Sequence, residues 1–124
     1  MAGTLTISTL NDSSGVLATQ NGMKGIIKAW VNFAANGTIN ASFNVSSVTV
    51  NTANTLYTIN FTTAMPSATY VTQTGGQGWR SGSSLNSAVA YGTTPTTTSV
   101  QVIFVAYNET VNPLTNCYVS VFGN

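Results

Sequence analysis

The chain has no histidine and very few charged residues. Only 4% of its residues are charged, compared with about 25% in an ordinary globular domain. Without histidine, the commonest general base, the usual partner of a serine or cysteine nucleophile and the commonest transition-metal ligand are all missing. Asp12 and Glu109 are the only carboxylates that could form the acid and base pair of a glycosidase. We therefore predict that the chain is not an enzyme and has no catalytic residue and no cofactor.

The same scarcity argues against several kinds of ligand. Cys117 is the single cysteine, so an internal disulfide and a cysteine zinc site are excluded, and calcium usually needs several carboxylates. Three basic residues are too few to neutralise nucleic-acid phosphates. The longest apolar run, residues 102–107, is much shorter than a membrane span, and residues 1–5 do not resemble a secretion signal. We expect no metal, no nucleic acid and no membrane insertion.

The polar surface of this protein must consist of uncharged residues, whereas ordinary globular proteins use many ionic side chains. The residues available for it are serine, threonine, asparagine, glutamine and glycine. The net charge of +1 gives little repulsion between molecules, and a nearly neutral surface promotes association. This composition is typical of a subunit that neighbouring subunits cover. We therefore expect a homo-oligomer.

Alternation of apolar and polar residues at a period of two predicts β-strands. The apolar phases are Ile27, Ala29, Val31 and Phe33; Tyr57, Ile59 and Phe61; Val100, Val102, Phe104 and Ala106; and Cys117, Val119 and Val121. The polar phase of the first strand contains Lys28, Trp30 and Asn32. Because residues 99–107 are apolar in both phases, this strand is predicted to be central.

Turn residues separate these runs. Asn36-Gly37 predicts a hairpin, because both residues tolerate positive φ. A change of apolar phase at Ser46-Ser47 predicts a β-bulge, and Met65-Pro66 ends a strand. Residues 25–124 are therefore predicted to form an all-β, antiparallel and jelly-roll-like β-sandwich.

Residues 1–24 are polar and irregular, and we interpret them as an extended N-terminal arm. The few residues that could pack against a partner are Leu5, Ile7, Leu10, Val16 and Leu17. An extended segment of about 20 residues reaches ~65 Å, which is enough to cross a neighbouring subunit. We expect the arm to take part in assembly.

Trp79, Arg80 and Tyr91 are the candidate ligand-binding residues. Trp79 and Arg80 lie in a glycine-serine loop, where an aromatic ring could stack on a sugar and a guanidinium could bind polar or anionic groups. Alternatively, Trp79 closes the open end of the sandwich or packs at a subunit interface, where tryptophan and arginine are enriched. Lys24 and Lys28 could pair with acidic groups of a partner. Alternatively, they keep an edge strand soluble.

Three segments in order resemble a group of phage virion proteins and tail-fibre C-terminal domains. They are KAWVNF at residues 28–33, ASFNVSS at residues 41–47 and NFTTAMP at residues 60–66, followed by Tyr70. The similarity covers roughly residues 4–71, and residues 119–123 are similar to the closing strand of such domains. After Tyr70 the chain departs from the pattern, so no ligand residues are carried over.

The resemblance implies a virion protein with a trimeric β-sandwich. The expected function is that of a small capsid decoration (cement) or fibre protein, which attaches to other virion proteins through its N-terminal arm. The alternative is a tail-fibre tip, a lectin-like module that binds glycan on the host surface. Capsid and tail both remain open as locations on the particle.

Overall fold

Ten β-strands and no helix make up the regular structure of the described part of the chain. The structure is a computed structural model, and it describes residues 3, 9–12, 15–18, 26–53, 55–78, 85–89, 93–106 and 114–123. The strands are β1 (Thr9–Asp12), β2 (Gly15–Ala18), β3 (Ile27–Ala34), β4 (Ile39–Phe43), β5 (Val45–Thr52), β6 (Leu56–Phe61), β7 (Val71–Gly78), β8 (Leu85–Val89), β9 (Ser99–Ala106) and β10 (Leu114–Phe122).

Eight of these strands form two antiparallel sheets that pack against each other. The first sheet has the order β4-β3-β10-β7, and the second sheet has the order β5-β6-β9-β8. Buried side chains from both sheets form one core cluster. The predicted antiparallel β-sandwich is therefore confirmed.

Among the side chains that the structure describes, the core contains the apolar phase that the alternation predicts for each strand; the side chain of Ala106 is outside that set. Phe33 of the first sheet packs edge-on against Tyr57 and Phe104 of the second sheet, with ring centroids 5.0 and 6.4 Å away. The Tyr57 hydroxyl donates a hydrogen bond of 2.9 Å to the Ala35 carbonyl, which satisfies its polar end inside the core. Ile27 is the exception, because it is exposed beside a register shift in the pairing of β3 with β10.

The predicted hairpin at Asn36-Gly37 joins β3 to β4. Gly37 has a φ of 84°, a conformation in which a side chain would be strained and would also collide with Val50. The Asn36 side-chain oxygen accepts a hydrogen bond of 3.0 Å from the Thr38 backbone amide. The turn therefore depends on both residues of the dipeptide.

The chain passes from the first sheet to the second at Asn44. This residue has a φ of 55°, and its side-chain amide donates to the carbonyls of Lys28 and Thr63 at 3.1 Å each. Its side-chain oxygen accepts a 2.7 Å hydrogen bond from the Thr63 amide. Three hydrogen bonds thus hold this corner in the left-handed conformation that asparagine tolerates.

The predicted bulge is confirmed at Ser46, two residues after this corner. The pairing of β5 with β6 shifts between Val45 and Ser47, so Ser46 is the extra residue. The sequence predicts one continuous strand through residues 43–50, whereas the structure divides it at Asn44. After the corner and the bulge, Val45 is buried in the core and Val48 packs against it, whereas Phe43, before the corner, stays exposed on the outer face of the first sheet.

Strand β9 lies between β6 and β8, in agreement with its predicted central position. The outward residues Ile103 and Val105 are half-buried, so its outer face is only partly covered. The predicted break at Met65-Pro66 is also confirmed, because β6 ends at Phe61 and β7 begins at Val71.

The predicted arm contains a hairpin. Strands β1 and β2 form a separate two-stranded sheet, in which Leu10 pairs with Leu17 and Asn11 with Val16. The segment is therefore more regular than its polar composition suggests, and a hairpin reaches less far than the same residues fully extended. Leu5 and Ile7 lie outside the described residues, and the assembly role of the arm stays a prediction.

Candidate binding face of the first sheet

The ligand residues proposed from the sequence cannot be placed. All three lie outside the described residues. Trp79 and Arg80 follow the end of β7, and Tyr91 follows the end of β8. Lys24 also lies outside them. The role of these side chains therefore stays a prediction.

The outer surface of the first sheet, which we call the first-sheet face, carries two rows of cross-strand neighbours. One row consists of Phe43, Trp30, Ser120 and Gln73, and the next consists of Ala41, Asn32, Tyr118 and Gly75. Each row crosses all four strands in the order β4-β3-β10-β7. Neighbouring strands are about 4.8 Å apart, so the residues of a row can contact the same ligand.

Three aromatic side chains are exposed on the first-sheet face. Phe43 is 55% exposed, Tyr118 is 39% exposed and Trp30 is 38% exposed. All three occupy positions that the alternation leaves outside the core. A cluster of exposed aromatic side chains commonly marks an interaction site, whereas scattered apolar residues do not.

A chain of hydrogen-bonded amides, which we call the amide ladder, runs across the same face. The Asn40 amide donates to the side-chain oxygens of Asn32 at 3.1 Å and Asn116 at 3.0 Å. The Asn116 amide and the Tyr118 hydroxyl both donate to Gln77 Oε1 at 3.2 Å. The ladder links β4 to β7 and fixes the hydroxyl end of the exposed Tyr118 ring.

A shallow groove of about 240 Å³ lies between β7 and β10 on this face. It is lined by Gln73, Thr74, Gly75, Tyr118 and Ser120. A side chain at Gly75 would begin 3.9 Å from Tyr118 Cδ2, so the glycine leaves the space beside the ring open. The Tyr118 ring is thereby accessible from the side of β7.

The electrostatics of the described sandwich are simple. Lys28 is the only charged residue in the described ranges from residue 26 onward, and it does not line the groove. It lies on β3, before the pairing of this strand with β4 begins at Trp30, so both interpretations of this lysine stay predictions. The groove therefore offers uncharged hydrogen-bonding groups and an aromatic ring.

Edge strands are the second notable feature of the surface. Strands β4, β5, β7 and β8 form the edges of the two sheets, and none of them contains a charged residue or a proline. Charges and prolines are the usual protection of an edge against pairing with another chain. On β4, Asn40, Ala41, Ser42 and Phe43 are all exposed.

The Cys117 thiol is not part of either surface. It is fully buried on the inner face of β10, and burial raises its pKa to about 12. A thiol held in its protonated form is a poor nucleophile and a poor metal ligand. The burial that the apolar phase of this strand predicts for Cys117 is confirmed, and its lack of reactivity stays a prediction.

Two further observations concern the described residues alone. They include no group of three or more histidine, cysteine, aspartate or glutamate side chains positioned to hold a metal ion. None of them belongs to a helix long and apolar enough to cross a membrane.

The first-sheet face was missed as a site by sequence reasoning, although part of its signal is in the sequence. Trp30 and Tyr118 stand in the polar phases of their strands, where a large aromatic ring is unusual. The sequence did not show that β3 and β10 are neighbours, and only this pairing brings the two residues onto one surface.

No family model, no curated protein and no solved structure matches this chain.

Proposed function

We propose that this protein is a non-catalytic structural subunit of a phage virion that assembles with copies of itself through its edge strands. The observation that carries the proposal is the absence of charge and proline from all four edge strands. The location on a virion comes from the resemblance of residues 28–33, 41–47 and 60–66 to virion proteins. That resemblance also favours a trimer.

Edge pairing suits the chemistry of this chain. A paired edge forms main-chain hydrogen bonds, and apolar burial beside it contributes about 25 cal/mol per Å². Strand β4 is an edge strand and carries the exposed Phe43 side chain. Pairing there would therefore supply both main-chain hydrogen bonds and apolar burial. Since few ionic groups contribute, assembly should depend only weakly on salt concentration.

A single inward-pointing lysine on β4 tests edge pairing. Ser42 pairs with the buried Val31 and so belongs to the inner phase of the sheet, yet it is exposed because β4 is an edge. Ser42→Lys would place a charge where natural edge strands often carry one to prevent pairing. We expect this variant to be monomeric in light scattering while its circular dichroism remains that of the wild type.

Thr97→Lys is the matched control for this test. Thr97 is exposed, lies in a connecting segment and uses only its backbone carbonyl, which accepts a 2.7 Å hydrogen bond from Met65. The control adds the same charge away from any edge, so it should assemble like the wild type. Assembly of Ser42→Lys at wild-type strength would rule out β4, and loss of assembly in both variants would point to a general effect of charge.

Attachment to the particle is assigned to the N-terminal arm. The arm carries Leu5, Ile7, Leu10, Val16 and Leu17, and its described part is a hairpin with its own sheet. A variant without residues 1–20 should still form oligomers, because the sandwich strands are intact, but it should no longer bind particles that lack the wild-type protein. Full occupancy of particles by the truncated protein, seen by electron microscopy, would exclude the arm.

A further inference from the structure

We infer that the groove beside Tyr118 binds one ring of an uncharged saccharide. The inference goes beyond the structural function proposed above and does not depend on it, because it uses the first-sheet face and not the edges. It also differs from the site at Trp79, Arg80 and Tyr91 that the sequence suggests. Four properties of the groove lead to this ligand.

The first property is size and shape. The volume of about 240 Å³ is below the roughly 300–1,000 Å³ of sites that enclose drug-sized ligands. The groove is open along the sheet surface beside Gly75. Such a space fits one small ring, either alone or as a unit of a longer chain that continues across the face.

The second property is a pair of unused hydrogen-bonding groups. Gln73 and Ser120 are cross-strand partners in the groove wall, and their side chains form no hydrogen bond with any described residue. Together they offer an amide donor, an amide acceptor and a hydroxyl at one point. Adjacent hydroxyls on a sugar ring require this mixture of donors and acceptors.

The third property is the presence of two aromatic rings. Tyr118 lines the groove, and Trp30 is the cross-strand partner of Ser120, which makes the two rings diagonal neighbours. Diagonal neighbours in an antiparallel sheet are about 7–8 Å apart, within reach of aromatic side chains. Their exposed surfaces can cover the apolar C–H face of a sugar ring while Gln73 and Ser120 bind its hydroxyls.

The fourth property is rigidity without charge. The amide ladder holds the Tyr118 hydroxyl through Gln77 Oε1, which lowers the entropy lost when a ligand orders the site. Among the residues that the structure describes, none with a charge lines the groove. An ionised ligand would therefore find no opposite charge there, and this favours a neutral saccharide over an anionic one.

The test is a titration of the ¹⁵N-labelled full chain with saccharides, followed by nuclear magnetic resonance. Lactose, maltotriose, cellotriose and N,N′-diacetylchitobiose serve as neutral probes, and sialyllactose serves as the anionic probe. At least one neutral probe should shift the amide signals of Gln73, Gly75 and Ser120, with a dissociation constant on the order of 1 mM. The absence of such shifts for every neutral probe would overturn the proposal, as would preferential binding of sialyllactose.

Two substitutions locate the binding in the groove. Gly75→Val fills the groove from β7 with a side chain that strands accommodate well, so the fold should persist while binding becomes at least about tenfold weaker, or about 1.4 kcal/mol. Val71→Ala removes an exposed apolar side chain from the same strand at a position outside the groove and outside both rows, and it should leave binding unchanged. Equal binding by the wild type and Gly75→Val would overturn the proposal.

Self-association is the competing use of this face. Signals of Gln73, Gly75 and Ser120 that shift on dilution of the protein alone, without saccharide, would assign the groove to a second copy and overturn the proposal. The edge variant Ser42→Lys separates the two ideas further, since it should lose assembly and keep the shifts caused by saccharide.

Discussion

The two outer faces of the sandwich differ in chemistry although their inner faces form one core. The first-sheet face carries Trp30, Phe43, Tyr118 and the amide ladder. The described part of the second-sheet face carries hydroxyls and amides that bind one another, together with the half-buried aliphatic side chains of Leu56, Ile103 and Val105. There, Asn60 donates to the hydroxyls of Ser47 and Thr49 at 3.0 and 3.1 Å.

The difference lies in how much aromatic surface each face exposes to water. On the second-sheet face, polar side chains bind one another, and the outward aliphatic side chains are half-buried. On the first-sheet face, large rings stay in water at an energetic cost, and Gln73 and Ser120 have no described partner. A surface that is suboptimal for a free molecule is expected where another molecule binds. Four predictions distinguish properties that depend on the shared core from properties of one face alone.

The largest effect is expected from the core that both faces share. Phe33→Ala removes the fully buried ring that contacts Tyr57 and Phe104 across the two sheets. Because it leaves a cavity between the sheets, it should lower the free energy of unfolding by about 3–5 kcal/mol. Urea unfolding measures this loss, and probes on both faces should report a single transition. Separate transitions for the two sheets would contradict one shared core.

The second effect concerns Asn44, which joins the two sheets. Asn44→Ala removes three hydrogen bonds and places alanine at a φ of 55°, so we expect a loss of about 2–4 kcal/mol in urea unfolding. Asn44→Gly removes the same hydrogen bonds without the strain, and its loss should be about 1 kcal/mol smaller. Equal losses would show that the backbone conformation contributes nothing.

Much of this architecture could be predicted from the sequence, because alternation is a local signal. The buried phases at Val31, Ile59, Val102 and Val119 follow directly from a period of two. The corner at Asn44 could not be predicted, since an asparagine between Phe43 and Val45 also fits the alternation of one continuous strand. The site was missed for a different reason: Trp30, Ser120 and Gln73 meet only through strand pairings between distant segments.

The third effect sharpens the contrast between the faces directly. Asn116→Ala breaks the amide ladder, and Asn60→Ala breaks the matching network on the second-sheet face. Each change should lower the free energy of unfolding by about 1 kcal/mol, because the bonds are exposed. Only Asn116→Ala should shift the resonances of Tyr118 and weaken saccharide binding. Equal effects of both variants on Tyr118 would mean that the faces are not independent.

The smallest effect is that of pH, which should leave both faces unchanged around neutrality. The chain has no histidine and only two acidic residues, so few groups titrate between about pH 5 and 8 and the free energy of unfolding should be nearly constant there. Burial raises the pKa of Cys117 from 9.0 to about 12 and that of Tyr70 from 10.0 to about 12. Both groups favour folding below their unfolded pKa values.

At higher pH this contribution should disappear. The unfolded chain releases these protons first, so stability should fall as the pH rises from about 9 through 12. Urea unfolding at several pH values measures the decline. In a Cys117→Ala variant the free energy of unfolding should decline less steeply with pH than in the wild type. An identical slope would show that the thiol does not contribute to the decline. Iodoacetamide should also leave Cys117 unmodified in the folded protein near neutral pH.

The mass of the purified full chain in solution tests the central proposal most directly, because the edge strands, which carry no charge and no proline, are interpreted as surfaces for assembly. Light scattering at micromolar concentration should give a small multiple of the 12.9 kDa chain mass, with a trimer expected, and the value should change little when salt is added. A stable monomer of 12.9 kDa at every concentration would contradict the proposal that these edges bring copies of the chain together.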